Sequence, residues 1–352
     1  MRVKLISLFF LMIATYGCGK LMDSFSESSH AAQPVVYIAY YSWQGLMLAN
    51  NISGNWSNES LDNNGDVGHY CSMAIDRYNR LYISYFDNPN GKLKFASNKS
   101  GAWISGFISD AVGSIYGMNT SIALDKQCNA HISYTNDLNN LRYAFIKNDG
   151  QIFVGMADSS ASYSSSTSLA IDSKGFVHIS GYNGTSYNIK YVTNQSGRFV
   201  AADDMDYTVN TGKYSAIAVD SQDKIHLSYF EENGGGYLRY NTNLFGNWQK
   251  MRIEEFYGNM GMYTSIAVDS KNRIHIAYYD PNAPGNLMYA TNKNGVWNEW
   301  QVELLDSGAG EYTSIAIDGN DRVHISYYGN STNSVKYITK VSGQWSSPRE
   351  VG

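Results

Sequence analysis

The sequence predicts an all-β fold assembled from seven copies of one small unit, and three observations predict it. A glycine followed two residues later by a large apolar residue recurs as Gly54/Trp56, Gly101/Trp103, Gly150/Ile152, Gly197/Phe199, Gly246/Trp248, Gly295/Trp297 and Gly343/Trp345. The glycines are 47, 49, 47, 49, 49 and 48 residues apart, the mark of a repeated supersecondary unit too small to bury its own apolar faces. Aromatic residues make up 14% of the chain and charged residues 16%, so strand-forming types fill the periodic segments. No stretch reads as a long amphipathic helix, and the unbroken period makes residues 35–352 one domain.

The unit beginning at Gly261 shows the elements in order. Thr264 to Asp269 reads as a short first strand, Ser270 to Arg273 as a polar turn and Ile274 to Tyr279 as a second strand. A Pro/Gly/Asn loop precedes a third strand, Leu287 to Ala290, and the Gly295 turn leads into a fourth from Trp297. Four antiparallel strands with no helix between them make one blade of a β-propeller. Seven such blades closed in a ring leave no exposed sheet edges. The first strand recurs before Asp76, Asp125, Asp172, Asp220, Asp269 and Asp318, and the second from Val36, Leu81, Ala130, Val177, Ile225, Ile274 and Val323. The first unit lacks an evident first strand, so it has three strands or borrows its fourth from the N-terminal segment.

The third-to-fourth turn carries a resemblance. Ser97-Asn98-Lys99-Ser100-Gly101-Ala102-Trp103 and Thr291-Asn292-Lys293-Asn294-Gly295-Val296-Trp297 resemble the Asp-box repeat of bacterial exported β-propellers of the broad sialidase-like group. Position and glycine match, the aspartate is replaced, and the tryptophan arrives one residue early. Over residues 35–352 the resemblance implies the architecture but not the enzymatic activity.

Residues 1–17 follow a secretory pattern: Arg2 and Lys4, an apolar run from Leu5 to Ala14, then Gly17 before Cys18. This resembles bacterial lipoprotein signals, which implies lipidation of Cys18 after cleavage. Gly19, rather than Asp, implies the outer membrane. Residues 18–34 then form a flexible tether. The expected protein is exported and lipid-anchored in the cell envelope. Loss of Arg2 and Lys4 takes the formal net charge from −5 to −7, and without a basic cluster this argues against nucleic-acid binding. Cys71 falls at the start of a first strand and Cys128 in the turn after the next unit's first strand. That offset of about 17 Å exceeds the reach of a disulfide, about 4.4 to 6.8 Å between α-carbons, so both thiols are expected free.

Most residues that suggest chemistry belong to the repeat. His131, His178, His226, His275 and His324 each follow a first-strand aspartate by six positions, a relation that assigns them to the scaffold rather than to a metal or a catalytic site. Arg80, Arg273 and Arg322 share one turn position, and Arg77, Arg142, Arg239 and Arg252 form no triad by spacing. Glu231 and Glu232 break the pattern and are the candidates for a glycosidase carboxylate, with Glu254 and Glu255 in or after a fourth strand. Asp62 to Asp66 and Asp203, Asp204 and Asp206 offer calcium-like acids without the usual spacing; no metal site or cofactor is expected.

Tyr70, Tyr214, Tyr263 and Tyr312 lie in a Gly-x-Tyr segment read as the loop before the first strand. Together with Asp87 and Asp280, and with Asn88 and Asn282 beside them, they give one face of the ring aromatic and polar groups suited to sugar rings or a peptide. The sequence therefore predicts a monomeric binding module for a glycan or protein, more a binder than an enzyme. The alternatives are a sialidase-like glycoside hydrolase acting at the channel mouth and a structural envelope protein.

Overall fold

The structure is a computed structural model that describes residues 11–14, 34–108, 116–202, 205–206, 208–253, 260–292 and 294–352. Cys18, most of the leader and the tether, Asp203, Asp204, Glu254 and Glu255 lie outside them. Seven antiparallel sheets follow one another along the chain, each ordered as a meander. The inner strands of blades 2 to 7 are Val67–Ile75, Tyr116–Leu124, Tyr163–Ile171, Thr211–Val219, Met262–Val268 and Glu311–Ile317. Blade 1 takes three strands from its own repeat, Tyr37–Ser42, Gly45–Asn50 and Ser57–Asp62, and Leu11–Ala14 lies antiparallel along its inner edge.

The second strands of blades 2 to 6 read as continuous burial, as in Leu81–Asp87 and Ile274–Asp280, because they are covered by blades on both sides. Blade 6 shows where the sequence misleads. Its fourth strand is Gln301–Ser307, and Trp297 sits in the turn before it. Trp300 instead reaches the neighbouring blade, 4.9 Å from Tyr240 between ring centroids.

The repeated residues of blades 3 to 7 each form one relay at the junction with the blade that follows. An aromatic ring of one blade packs on the third-strand tyrosine of the blade before: Phe199 on Tyr143, Trp248 on Tyr191 and Trp345 on Tyr289, at 4.9 to 5.4 Å. That tyrosine's hydroxyl meets Nδ1 of the second-strand histidine at 2.5 to 2.7 Å, in the pairs His131–Tyr143, His178–Tyr191, His226–Tyr240, His275–Tyr289 and His324–Tyr337. The histidine's Nε2 lies 3.2 to 3.5 Å from the turn aspartate. The aspartate's other oxygen accepts two backbone N–H groups of its turn, as Asp269 does from Lys271 and Arg273. In blade 2, Tyr82 replaces the histidine and donates to Asp76 at 3.1 Å. Arg80, Arg273 and Arg322 pair with the aspartate of their own turn.

Blade 7 meets blade 1 by the same rule, since Trp56 packs on Tyr337 at 5.2 Å. Val36, Ile38, Tyr40, Val335 and Val351 share the apolar cluster of that joint. Cys71, in the inner strand of blade 2, and Cys128, in the turn after the inner strand of blade 3, are both buried, and neither is in a disulfide. Burial pushes the Cys71 thiol up to about 12.

Candidate functional site

The inner strands surround a channel, and its wall is built from a motif that the sequence reading passed over. The residue pair Thr-Ser recurs in the inner strands with its serine four residues before the aspartate: Thr120-Ser121, Thr167-Ser168, Thr264-Ser265 and Thr313-Ser314. Each threonine hydroxyl donates to a backbone carbonyl of the blade before, Thr120 to Tyr70, Thr167 to Asn119, Thr264 to Tyr214 and Thr313 to Tyr263, at 2.5 to 3.2 Å. Each serine oxygen accepts the amide of the blade after, Ser72 from Ile122, Ser121 from Leu169, Ser168 from Ile217 and Ser265 from Ile315. The collar thus satisfies the backbone groups that the bulged inner strands leave unpaired. Cys71 takes the threonine's place in blade 2.

Above the collar stand the tyrosines. Tyr70, Tyr214, Tyr263 and Tyr312 lie within the inner strands, not in a loop before them, and all have positive φ, 51° to 55°. The register of each strand shifts at this point, so a bulge turns the ring out of the sheet toward the channel mouth. The glycine two residues earlier has a separate cause: a Cβ on Gly261 would come within 2.7 Å of the Leu238 Cα in the preceding blade. Gly-x-Tyr therefore couples close blade packing to an aromatic aimed at the mouth.

Tyr214, Tyr263 and Tyr312 form a continuous arc, with centroids 4.6 and 4.5 Å apart and planes tilted by 50°. Behind them Phe230 lies 6.3 Å from Tyr214, and Tyr279 lies 6.1 Å from Tyr263. Burial, then the neighbouring phenols, pushes the Tyr263 hydroxyl well above its usual range, and burial takes Tyr312 to about 12. Both remain donors throughout the physiological range. Tyr70 holds the same position in blade 2, against Phe86. Blades 3 and 4 carry Asn119 and Ser166 instead. The cavity between arc and collar has a volume of about 130 Å³, below the several hundred that hold a whole small-molecule ligand, roughly 300 to 1,000 Å³. A larger ligand must lie across the mouth rather than enter the channel.

The remaining candidates separate clearly. Asp87 and Asp280 are buried and cap their own loops, Asp87 accepting from Asn90 and Asp280 from Asn282 and Asn286. Glu231 is 1% exposed and receives Arg239 Nε at 2.7 Å and two nitrogens of Arg252 at 2.8 and 2.9 Å. Burial alone would raise its pKa, but the two guanidiniums hold the carboxyl below its usual range. A glycosidase acid needs the opposite shift. Glu232 pairs with Lys213 at 2.7 Å. Asp62 and Asp206 are junction residues: the Tyr85 hydroxyl donates to Asp62 and that of Tyr229 to Asp206, and Lys94 and Lys250 pair with them. Their repetition at the end of the fourth strand, with Asp158 and Asp306, was readable in the sequence as a second period. One polar group has no counterpart in the other blades among the described residues. Tyr41 and His69 stack at 3.9 Å and share Asp66 Oδ1, at 2.7 and 2.6 Å, while Asn88 donates to Oδ2.

Fold and site together define a seven-bladed β-propeller with an aromatic, hydroxyl-lined channel mouth. No family model matches the chain, and no curated protein matches it. Among solved structures it is similar to a polysaccharide lyase, ulvan lyase, with a TM-score of 0.59 at 10% identity over 88% of this chain and 92% of that one. It is also similar to the lectin of Aleuria aurantia in complex with Fucα1-6GlcNAc, with a TM-score of 0.56 at 13% identity over 80% of this chain and 96% of that one. AofleA from Arthrobotrys oligospora gives a TM-score of 0.55 at 13% identity, covering 80% and 85%. At these identities the likeness is one of fold.

Proposed function

We propose that the protein is a glycan-binding propeller whose ligand lies across the channel mouth, held on the faces of Tyr214, Tyr263 and Tyr312. The arc itself carries this reading. A bulky residue at positive φ costs about 1 to 3 kcal/mol, and asparagine, which tolerates that backbone, already fills the position as Asn119. Tyrosine is therefore retained at a local cost, and what it adds is a ring. Aromatic faces with adjacent hydroxyls and amides suit the apolar face and hydroxyl rim of a sugar. The lectin and lyase folds of the neighbours agree with a carbohydrate ligand.

Tyr263→Asn removes the central ring while easing the backbone. Binding on a glycan array is expected to fall at least about tenfold, with unfolding free energy changed by no more than about 1 kcal/mol. Equal binding by the variant would refute the arc as the site. The proposal includes export and lipid anchoring at Cys18 in a bacterial envelope, beside the sialidase-like exported propellers; cleavage before Cys18 would remove Leu11–Ala14 and leave blade 1 with the three strands of its own repeat. Cys18→Ser is expected to shift the protein from the membrane to the soluble fraction, and unchanged fractionation would remove the anchor from the proposal.

A further inference from the structure

Glu311 directly precedes Tyr312 and lies opposite Tyr328 in the strand register. The same position holds His69, Met118, Ser165, Lys213 and Met262 in blades 2 to 6, so Glu311 is the one acid in the series. Its charge acts on Tyr214, Tyr263, Tyr279, Tyr312 and Tyr328, adding to the burial that raises all five phenols. Among the described residues no cation pairs with Glu311, and its carboxylate accepts no hydrogen bond. The other mouth acids are matched: Glu232 by Lys213, Glu231 by Arg239 and Arg252, Asp66 by Tyr41, His69 and Asn88.

Glu311 is half-buried, next to Tyr312 in the chain and opposite Tyr328 in the sheet, so its carboxylate is open to a positive charge arriving at that end of the arc. Ring quadrupoles attract a cation placed over them by about 0.5 to 2 kcal/mol, and the carboxylate adds a charge-assisted hydrogen bond. A uronate or sulfated sugar would meet Glu311 as a like charge, and a neutral sugar would leave it unmatched.

We propose that the mouth binds an organic ammonium group at Glu311 within the Tyr214–Tyr263–Tyr312 arc, and that an amino sugar carries it. This rests on the glycan-binding reading and names the ligand class. A lysine side chain presents the same ammonium, so the test separates the two sources.

Calorimetric titration of the purified full-length protein at mildly acidic pH, where glucosamine amines are protonated, compares a glucosamine oligomer, its N-acetylated counterpart and oligolysine. The glucosamine oligomer is expected to bind at least about tenfold more tightly than the other two, more weakly as salt rises. Glu311→Gln is expected to erase that preference without moving the melting midpoint. Tyr263→Phe, which keeps the ring, is expected to retain it. Equal affinity for both sugars, unaffected by Glu311→Gln, would overturn the ammonium site while leaving glycan binding in place. Preference for oligolysine would overturn the amino-sugar assignment. Failure to bind any sugar here or on the array would overturn both proposals.

Discussion

Asp206→Ala is expected to lower the free energy of unfolding by about 3 to 5 kcal/mol, the range for removing one partner of a buried ionic group. Asp206 is fully buried and ties blade 4 to blade 5 by accepting from Tyr229 at 2.8 Å and Lys250 at 2.6 Å, with Arg239 at 3.8 Å. Removing it leaves the Tyr229 hydroxyl, buried on all sides, without its acceptor and concentrates positive charge at the junction. Asp206→Asn keeps an acceptor for Tyr229 and is expected to cost less. Urea titration of the two variants gives the comparison. A loss below about 1 kcal/mol for the alanine variant would mean that the junction relaxes around the gap.

Acid is expected to undo the ring in two stages. His131 and His178 are pushed below the ordinary histidine range, chiefly by burial. The folded state thus holds them neutral while the unfolded chain takes up protons. Their contribution is complete above about pH 6.5, the unfolded value, and is lost as pH falls from there through the depressed folded values. The turn aspartates form the second stage. Burial would raise Asp76, Asp125, Asp220, Asp269 and Asp318, but hydrogen bonds from the turn and from Arg or His hold them below the usual carboxylate range. Their stabilisation is present above about pH 3.9 and disappears as pH drops through the depressed folded values. The melting midpoint should therefore slope gently downward below pH 6.5 and steeply below 4. A flat midpoint down to pH 3 would contradict this account.

The architecture was legible because five of the seven junctions repeat the same residues at nearly the same spacing. The Asp–His interval and the glycine-to-aromatic step are both traces of one Trp–Tyr–His–Asp relay. What escaped was whatever depends on an adjacent blade. The Gly-x-Tyr segment looked like a loop because its glycine breaks the strand pattern, whereas the strand continues through a bulge and the glycine answers contact with the previous blade. The Thr-Ser collar was hidden because its partners lie about one repeat away in sequence. Asp87 and Asp280 were attractive as acids, yet loop amides occupy them. Glu311 left a faint trace, an acid where other blades carry histidine, methionine, serine or lysine. It gains significance only once the tyrosines are seen to converge.

The arc of tyrosines does not close: blades 3 and 4 present Asn119 and Ser166, and the buried Ser166 Oγ finds no hydrogen-bond partner among the described residues. The rim is thus tall on one side and low on the other. A glycan polymer held on the tall side, as proposed, would run off across the low one.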